Sequence, residues 1–275
     1  MSKSRVLSGA WLALLVAACG APPTDSRAEG FPTIVSLNPC GDAILAELAP
    51  PDQLLAISHY SKDPAATSMP AEQVARYRST SSRAEEIIAL APDVVVTDRF
   101  LPAPTRRALE QSGIELFDLD IVNTVDASLA QVNALAALAG RIDEGKALAG
   151  RMGEAWDQNT PGRSAPIAVL LWQEDGIVMG PDSLAAALLE HSGFTLQSSA
   201  QKLGYGQYLP LEQVLADPPQ LLLTSGDTRA LHHPALDILN GTVRAQLDPR
   251  LLYCAGPTIP RALARLREIR EGFAQ

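Results

Sequence analysis

The sequence predicts an α/β protein made of two Rossmann-like lobes with parallel sheets, joined by a single long α-helix. Three observations predict it. Short continuous apolar strands alternate with helical stretches, the pattern of strands buried on both faces. A phrase recurs: Glu85 to Val96 and Glu212 to Leu223 each open on an acid, run a short apolar helix into proline, and continue as an aliphatic strand. Between these two regions lies sequence of helical period rather than a pair of strands.

In the first region, Thr33 to Leu37 is a β-branched run that stops at Asn38-Pro39. Asp42 to Leu48 has helical spacing, with Ile44, Leu45 and Leu48 on one face. Leu54 to Ile57 is a second strand, Glu85 to Leu90 a short helix closed by Ala91-Pro92-Asp93, and Val94 to Thr97 a third strand. A helix through Gln111 and a strand over 114–117 complete a lobe of residues 31–142. Val125, Leu129, Val132, Leu135 and Leu138 follow the 3.6 period up to Gly140. A linking helix over 143–159 then starts on Asp143 as N-cap, with Ala147, Leu148, Met152 and Trp156 turned inward. Gly145, Gly150 and Gly153 each weaken it by roughly 1 kcal/mol relative to Ala, so packing must hold it. At ~1.5 Å per residue it spans roughly 24 Å, a stiff connection that argues against large hinge closure. The second lobe, residues 160–275, repeats the plan. It has a strand at Ile167 to Trp172, helices at Ser183 to Glu190 and Leu211 to Ala216, a strand at Leu221 to Thr224, and a last helix from Pro260 to Gly272.

The first thirty residues set the compartment. Lys3 and Arg5 precede the apolar run Trp11 to Ala18, too short to cross a bilayer, and Cys19 follows. This order reads as a secretory signal peptide over 1–18. The ending Val16-Ala17-Ala18-Cys19 resembles a bacterial lipobox, which would make Cys19 a lipidated N-terminus and residues 19–30 a tether. The alternative is an ordinary signal cut that leaves Cys19 a free thiol. The net charge of −9 becomes −11 once the two charges of Lys3 and Arg5 are removed. So acidic a chain repels phosphate backbones, and no nucleic-acid partner is expected. Neither Cys40 nor Cys254 sits in a Cys-x-x-Cys pair.

With these elements in order, the chain resembles the helix-linked (class III) periplasmic solute-binding proteins of ABC importers, the group of vitamin B12 and ferric-siderophore binders. The likeness is carried by Ile34 to Pro39 with its following helix, by Ala56 to Pro64, by Glu85 to Val95, and by Leu211 to Ala216. It covers residues 31 to 275. The resemblance implies two lobes facing across a cleft, and a monomer that captures a corrinoid, ferric siderophore or related metal chelate. Delivery would be to a membrane permease with its ATPase. It implies no catalysis and no cofactor beyond the transported ligand. It also puts one permease-docking glutamate on each lobe, at Glu85 and Glu212. Each is an acid in the first turn of a short helix, where the macrodipole favours it.

In open α/β sheets ligands sit beyond the carboxyl ends of strands. That rule makes Pro39, Cys40, His59 and Tyr60 the candidates of the first lobe, and Trp172, Tyr205, Tyr208, Tyr253 and Cys254 those of the second. Tyr253-Cys254 is read as the end of the last strand. Flat rings with polar tips suit a large, partly apolar ligand, and Tyr60 matches a cleft tyrosine of the vitamin B12 binder. The chain departs from that relative at Ser79, which stands where the relative has an aromatic. For Cys40 and Cys254 three readings stand: a disulfide across the cleft floor, two unrelated buried thiols, or contact with a soft metal centre together with His59. His191 and the adjacent His232 and His233 are read as surface or structural residues, so no metal site is assigned. No nucleophile elbow, dinucleotide turn, P-loop or His-Glu-x-x-His pair is present, which leaves an α/β enzyme the lesser alternative. An envelope scaffold without a small ligand is the other.

Overall fold

The computed structural model describes residues 30–161, 165–203 and 206–273. The signal peptide, most of the tether with Cys19, and Tyr205 lie outside the described residues. The first lobe runs β1 (Ile34–Ser36), α1 (Pro39–Leu48), β2 (Leu54–Ser58), α2 (Ala71–Ala75), β3 (Ser79–Thr80), α3 (Ala84–Leu90), β4 (Val94–Asp98), α4 (Ala103–Gln111) and β5 (Glu115–Leu119). Its five strands lie in the order β3-β2-β1-β4-β5, all parallel. Two helices follow, α5 (Val125–Leu138) and α6 (Ile142–Gln158), the second being the link.

The second lobe runs β6 (Ile167–Gln173), β7 (Ile177–Val178), α7 (Leu184–His191), β8 (Phe194–Leu196), α8 (Gln197–Ala200), β9 (Gln207–Tyr208), α9 (Leu211–Ala216), β10 (Leu221–Ser225), β11 (Val243–Gln246) and α10 (Thr258–Phe273). Its order is β11-β10-β6-β7-β9, with β8 beside the first half of β6. This sheet is not wholly parallel, as the sequence predicts, but mixed: β7 runs antiparallel to both β6 and β9. The reason is local. Gly176 at positive φ turns the chain straight back after β6, so that Val178 pairs with Trp172.

Two helix starts differ from expectation because the capping chemistry lies upstream. The Asn38 side chain accepts from the backbone N–H of Cys40 and Gly41, at 2.8 and 3.1 Å, and Pro39 occupies the first helical position. Helix α1 therefore begins three residues before Asp42. Helix α6 begins at Ile142, and Asp143 sits in its first turn instead of capping it. Gly140, at φ +66°, makes the turn from α5, with Arg141 N–H bonding back to Ala136 O at 2.8 Å. Such a left-handed helix end is glycine's usual place. Gly145 also has a purpose that its low propensity hides. A Cβ there would collide with the Cβ of Ala136, so the glycine lets α5 and α6 pack closely. One apolar core continues from the first lobe through α1, α5, α6 and α10 into the second, from Ile34 and Val96 to Leu221 and Leu266. Among the described residues, no helix is long and apolar enough to cross a membrane.

Candidate functional site: a cleft between the lobes

The carboxyl ends of β1, β4 and β5 face loops of the second lobe across a cavity of about 510 Å³. The first lobe supplies Asn38 and Cys40 at the start of α1, Asp98 to Phe100 after β4, and Leu119 to Asn123 after β5. The second lobe supplies Met179, Asp182 to Ala185 at the start of α7, and Leu252 to Ala255. A neighbouring hollow of about 410 Å³ shares Met179, Leu252 and Tyr253, and adds Gln173 at the end of β6, Glu174 just after it, and Ser225 at the end of β10.

Hydrogen bonds fix the first-lobe wall. Asp98 accepts from Asn38 Nδ2 and from Phe100 N–H, both at 2.8 Å, which ties the β4 turn to the cap of α1. Arg106 grips both oxygens of Asp118, at 2.7 and 3.1 Å, and donates to Asp98 O at 3.0 Å, bracing β4 against β5. The tight turn throws Phe100 outward, where it is 71% exposed, and Ile121 after β5 is 63% exposed. Bare rings and aliphatic chains at the mouth of a cavity cost nothing once an apolar ligand covers them. Three carboxylates, Asp98, Asp120 and Asp182, line the cavity beside one guanidinium, Arg99.

Cys40 and Cys254 are joined by a disulfide, with their α-carbons 5.1 Å apart, and both line the cavity. The free-thiol and soft-metal readings are thereby overturned, because each sulfur's bonding is used by the other. Tyr253 next to the bridge is partly exposed. Burial, reinforced by the negative charges of Glu174, Asp248 and Asp63, pushes its phenol above the usual range, so at neutral pH it stays a protonated hydrogen-bonding group. Tyr253 and Cys254 do not end a strand. The last strand closes at Gln246, and the chain makes a short turn at Pro249–Leu251 before reaching them.

The remaining sequence candidates scatter. Pro39 is half-buried at the first turn of α1 and serves the helix start. His59 and Tyr60 are exposed just after β2, their rings 4.1 Å apart, and are not among the lining residues of the two cavities. Tyr208 is exposed on β9, its ring lying against Gly176. Trp172 requires a correction. It is 1% exposed, donates from Nε1 to Leu209 O at 3.0 Å, and packs among Leu170, Val178, Leu209 and Leu222. Alternation along β6 places the Trp172 side chain with Leu170 on the sheet face covered by Leu209, Val214 and Leu231, opposite the face of Val169 and Leu171, so the indole enters the core and not the cleft.

The histidines are otherwise engaged: His191 stacks on Trp156 at 3.4 Å, His232 meets Asp227 at 2.8 Å, and His233 Nδ1 accepts from Ala235 N–H. Among the described residues no group of three or more metal-ligating side chains comes together. Glu85 and Glu212 are both exposed in the first turns of α3 and α9. The neighbour Glu86 has a different task. Its carboxylate accepts from both N–H and Oγ of Ser81, which holds it below the usual carboxylate range.

Sequence reasoning missed Phe100, Ile121 and the carboxylates Asp98 and Asp120, although the strand-end rule extended to β4 and β5 reaches them. Met179 and Asp182 follow a two-residue strand that has no sequence signature. It also missed Asp42, which lies on the fourth residue of α1, wholly buried. Its Oδ2 accepts from Ser58 N–H at 2.9 Å and Ser61 Oγ at 2.6 Å, pinning the turn that carries His59 and Tyr60. Oδ1 has no hydrogen-bond partner among the described residues, and burial outweighs the opposing pull of Ser36, Ser61 and Ser58 and raises the carboxyl to about 7.

Two α/β lobes linked by one helix, with a cleft at their strand ends, define a class of solute-binding protein. The sequence profile of the periplasmic binding protein family matches residues 34–238, so the chain belongs to that family. Curated proteins yield no sequence match. Several solved structures share the fold. The periplasmic haem-binding protein BhuT in complex with two haems aligns at TM-score 0.68 and 19% identity, over 89% of this chain and 99% of its own. The periplasmic vitamin B12-binding protein BtuF of Vibrio cholerae aligns at 0.67 and 20%, over 89% and 98%. The periplasmic haem-binding protein HutB of Vibrio cholerae aligns at 0.70 and 18%, over 86% and 98%.

Proposed function

We propose that this chain is the substrate-binding lipoprotein of an ABC importer, anchored through Cys19, which captures a flat metal chelate between its lobes and delivers it to a permease. The observation that carries this reading is the inter-lobe cavity of about 510 Å³, rimmed by bare Phe100 and Ile121 and floored by the Tyr253 loop. A cavity with apolar walls and a few convergent polar groups fits a ring of drug size or larger. Among the candidate chelates, three lining carboxylates against one guanidinium favour an amide-rimmed corrinoid over a ring that presents carboxylates, through like-charge repulsion. Haem and anionic siderophores fall behind it on that ground.

Glu85 and Glu212 are the docking acids in this reading, one exposed on each lobe and neither used by the fold. Glu85→Ala with Glu212→Ala abolishes uptake in cells while leaving ligand affinity unchanged. Undiminished uptake by the double variant removes the docking assignment. Native mass spectrometry of the full chain in detergent, against cobalamin, cobinamide, haemin and ferric siderophores, tests capture. A one-to-one complex with a corrinoid supports the reading, and silence across the whole panel ends it.

A further inference from the structure

The Cys40–Cys254 disulfide joins residues 214 apart in sequence, one at the start of the first lobe's first helix and one just before the chain's last helix. Its setting is a strap, residues 247–257, that leaves the second lobe's last strand and crosses the floor of the cleft. The strap's second half is fastened to the first lobe. Gly256 N–H donates to Ser128 Oγ at 2.8 Å, and Gly256 lies against Ile44. Beyond the strap, Arg261 donates to Ser68 O at 2.6 Å. The first half carries Leu252 and Tyr253, which wall both hollows; Leu251 and Leu252 pack on the shared apolar core, and among the described residues the first half's polar contact with the first lobe is that of Tyr253 O with Cys40 Sγ itself, at 3.5 Å. Leu252 N–H bonds only to Pro249 O within the strap itself. The two sulfurs are also unlike. Cys254 is 5% exposed, whereas Cys40 is half-buried and faces the cavity.

We propose that this bridge is a thiol-responsive latch on the cleft: intact, it holds the Tyr253 half of the strap as the cleft floor, and reduced, it lets that floor move and ligand affinity fall. A dithiol reductant reaches the latch through the cavity. One of its thiolates attacks the Sγ of Cys40, the less buried of the two cysteines, forming a mixed disulfide and expelling Cys254 as thiolate, which takes up a proton. The reductant's second thiol then displaces Cys40, so the dithiol leaves as a disulfide and both cysteines of this chain end as thiols. A ligand in the cleft covers Cys40, so occupancy protects the latch and, by linkage, an intact latch favours occupancy. That last half rests on the proposed cleft reading, while the motion of the strap does not.

Hydrogen exchange on the full chain without ligand tests the latch, comparing the oxidised protein with protein reduced by dithiothreitol. Loss of protection in residues 247–254 and the start of α1 should exceed the loss that the lower global stability gives the central strands β4 and β10. Exchange in the strap that changes no more than in β4 and β10 overturns the latch. Cys40→Ser with Cys254→Ser should reproduce the reduced pattern. If that variant does not fold, reduction and reoxidation of the native protein give the same comparison, and failure of reoxidation to restore protection also counts against the latch. Cobinamide then serves as the ligand probe. Reduction should weaken its binding roughly 5- to 150-fold, the usual span of such coupling, and saturating cobinamide should slow reduction. Equal affinity of the oxidised and reduced forms for cobinamide overturns the coupling. Absence of cobinamide binding to either form removes the ligand half together with the cleft reading, while the exchange result still decides the latch.

Discussion

The two lobes carry the same helix–proline–strand unit, at residues 84–98 and 211–225, and use it differently. In the first lobe every strand is parallel, the ends of β1, β4 and β5 open toward the cleft, and Phe100 and Ile121 just beyond β4 and β5 stand bare. In the second lobe the chain doubles back after β6 as β7, and Trp172 is buried under Val178, Leu209 and Val214 on one face of the sheet, while Gln173 and Ser225 at the strand ends reach only the neighbouring hollow. The second lobe therefore meets the cleft through loops, and the most central of these is held to the first lobe by a disulfide. The lesson is that a parallel sheet presents its strand ends by topology alone, whereas a mixed sheet needs a covalent or packed substitute.

Separate perturbations of the two lobes sharpen this comparison. The largest stability effect should come from the link between them. Cys40→Ser with Cys254→Ser releases a closed loop of more than two hundred residues, and chemical denaturation should show a loss of about 3 to 5 kcal/mol. A loss below ~1 kcal/mol would mean that the shared core already holds the lobes without the bridge.

Next comes Asp42, the buried carboxyl under the His59–Tyr60 turn. Its folded-state value of about 7 lies above the ordinary 3.8, so the folded protein binds this proton more tightly than the unfolded chain does. Its stabilising contribution is complete below pH 3.8 and is lost as pH rises through about 7. The stability of the native protein relative to Asp42→Asn should accordingly fall between pH 4 and 8, by at most about 4 kcal/mol. A difference that stays flat across that range contradicts the burial-driven shift. Taking the difference removes carboxylates of opposite sign, such as Glu86, Asp217 and Asp248, whose partners lower them.

The smallest effects separate core from cleft. Trp172→Phe forfeits the hydrogen bond to Leu209 O and some packing, about 1 to 2 kcal/mol, and leaves ligand affinity unchanged. Phe100→Ala does the reverse. Exposed in the free protein, it alters stability by no more than about 0.5 kcal/mol while weakening ligand binding. If Trp172→Phe weakens binding as much as Phe100→Ala, the indole is not confined to the core as described.

Much of this was legible in the sequence because it rests on periodicity. The aliphatic runs at 94–97 and 221–224 could be placed only as buried strands, and the helix at 211–216 falls where its spacing puts it. What was not legible depends on turns and on tertiary partners. Gly176 at positive φ reverses the chain within three residues, and a two-residue strand such as β7 leaves no period to read. Asp42 looks like any acid near a helix start. Only the fold brings Ser58 and Ser61 onto it and removes water. Cys40 and Cys254 read as facing residues from the sequence, but their pairing depends on the path of the strap, which no local pattern encodes.

Isothermal titration of the native chain, Phe100→Ala and Tyr253→Ala with cobinamide tests the cleft most directly. The two walls named here, one from each lobe, predict a one-to-one complex with the native chain and a weaker complex with each variant, by roughly tenfold or more if each ring is a buried anchor. Equal affinity in all three proteins would place the ligand elsewhere on the molecule and contradict the account.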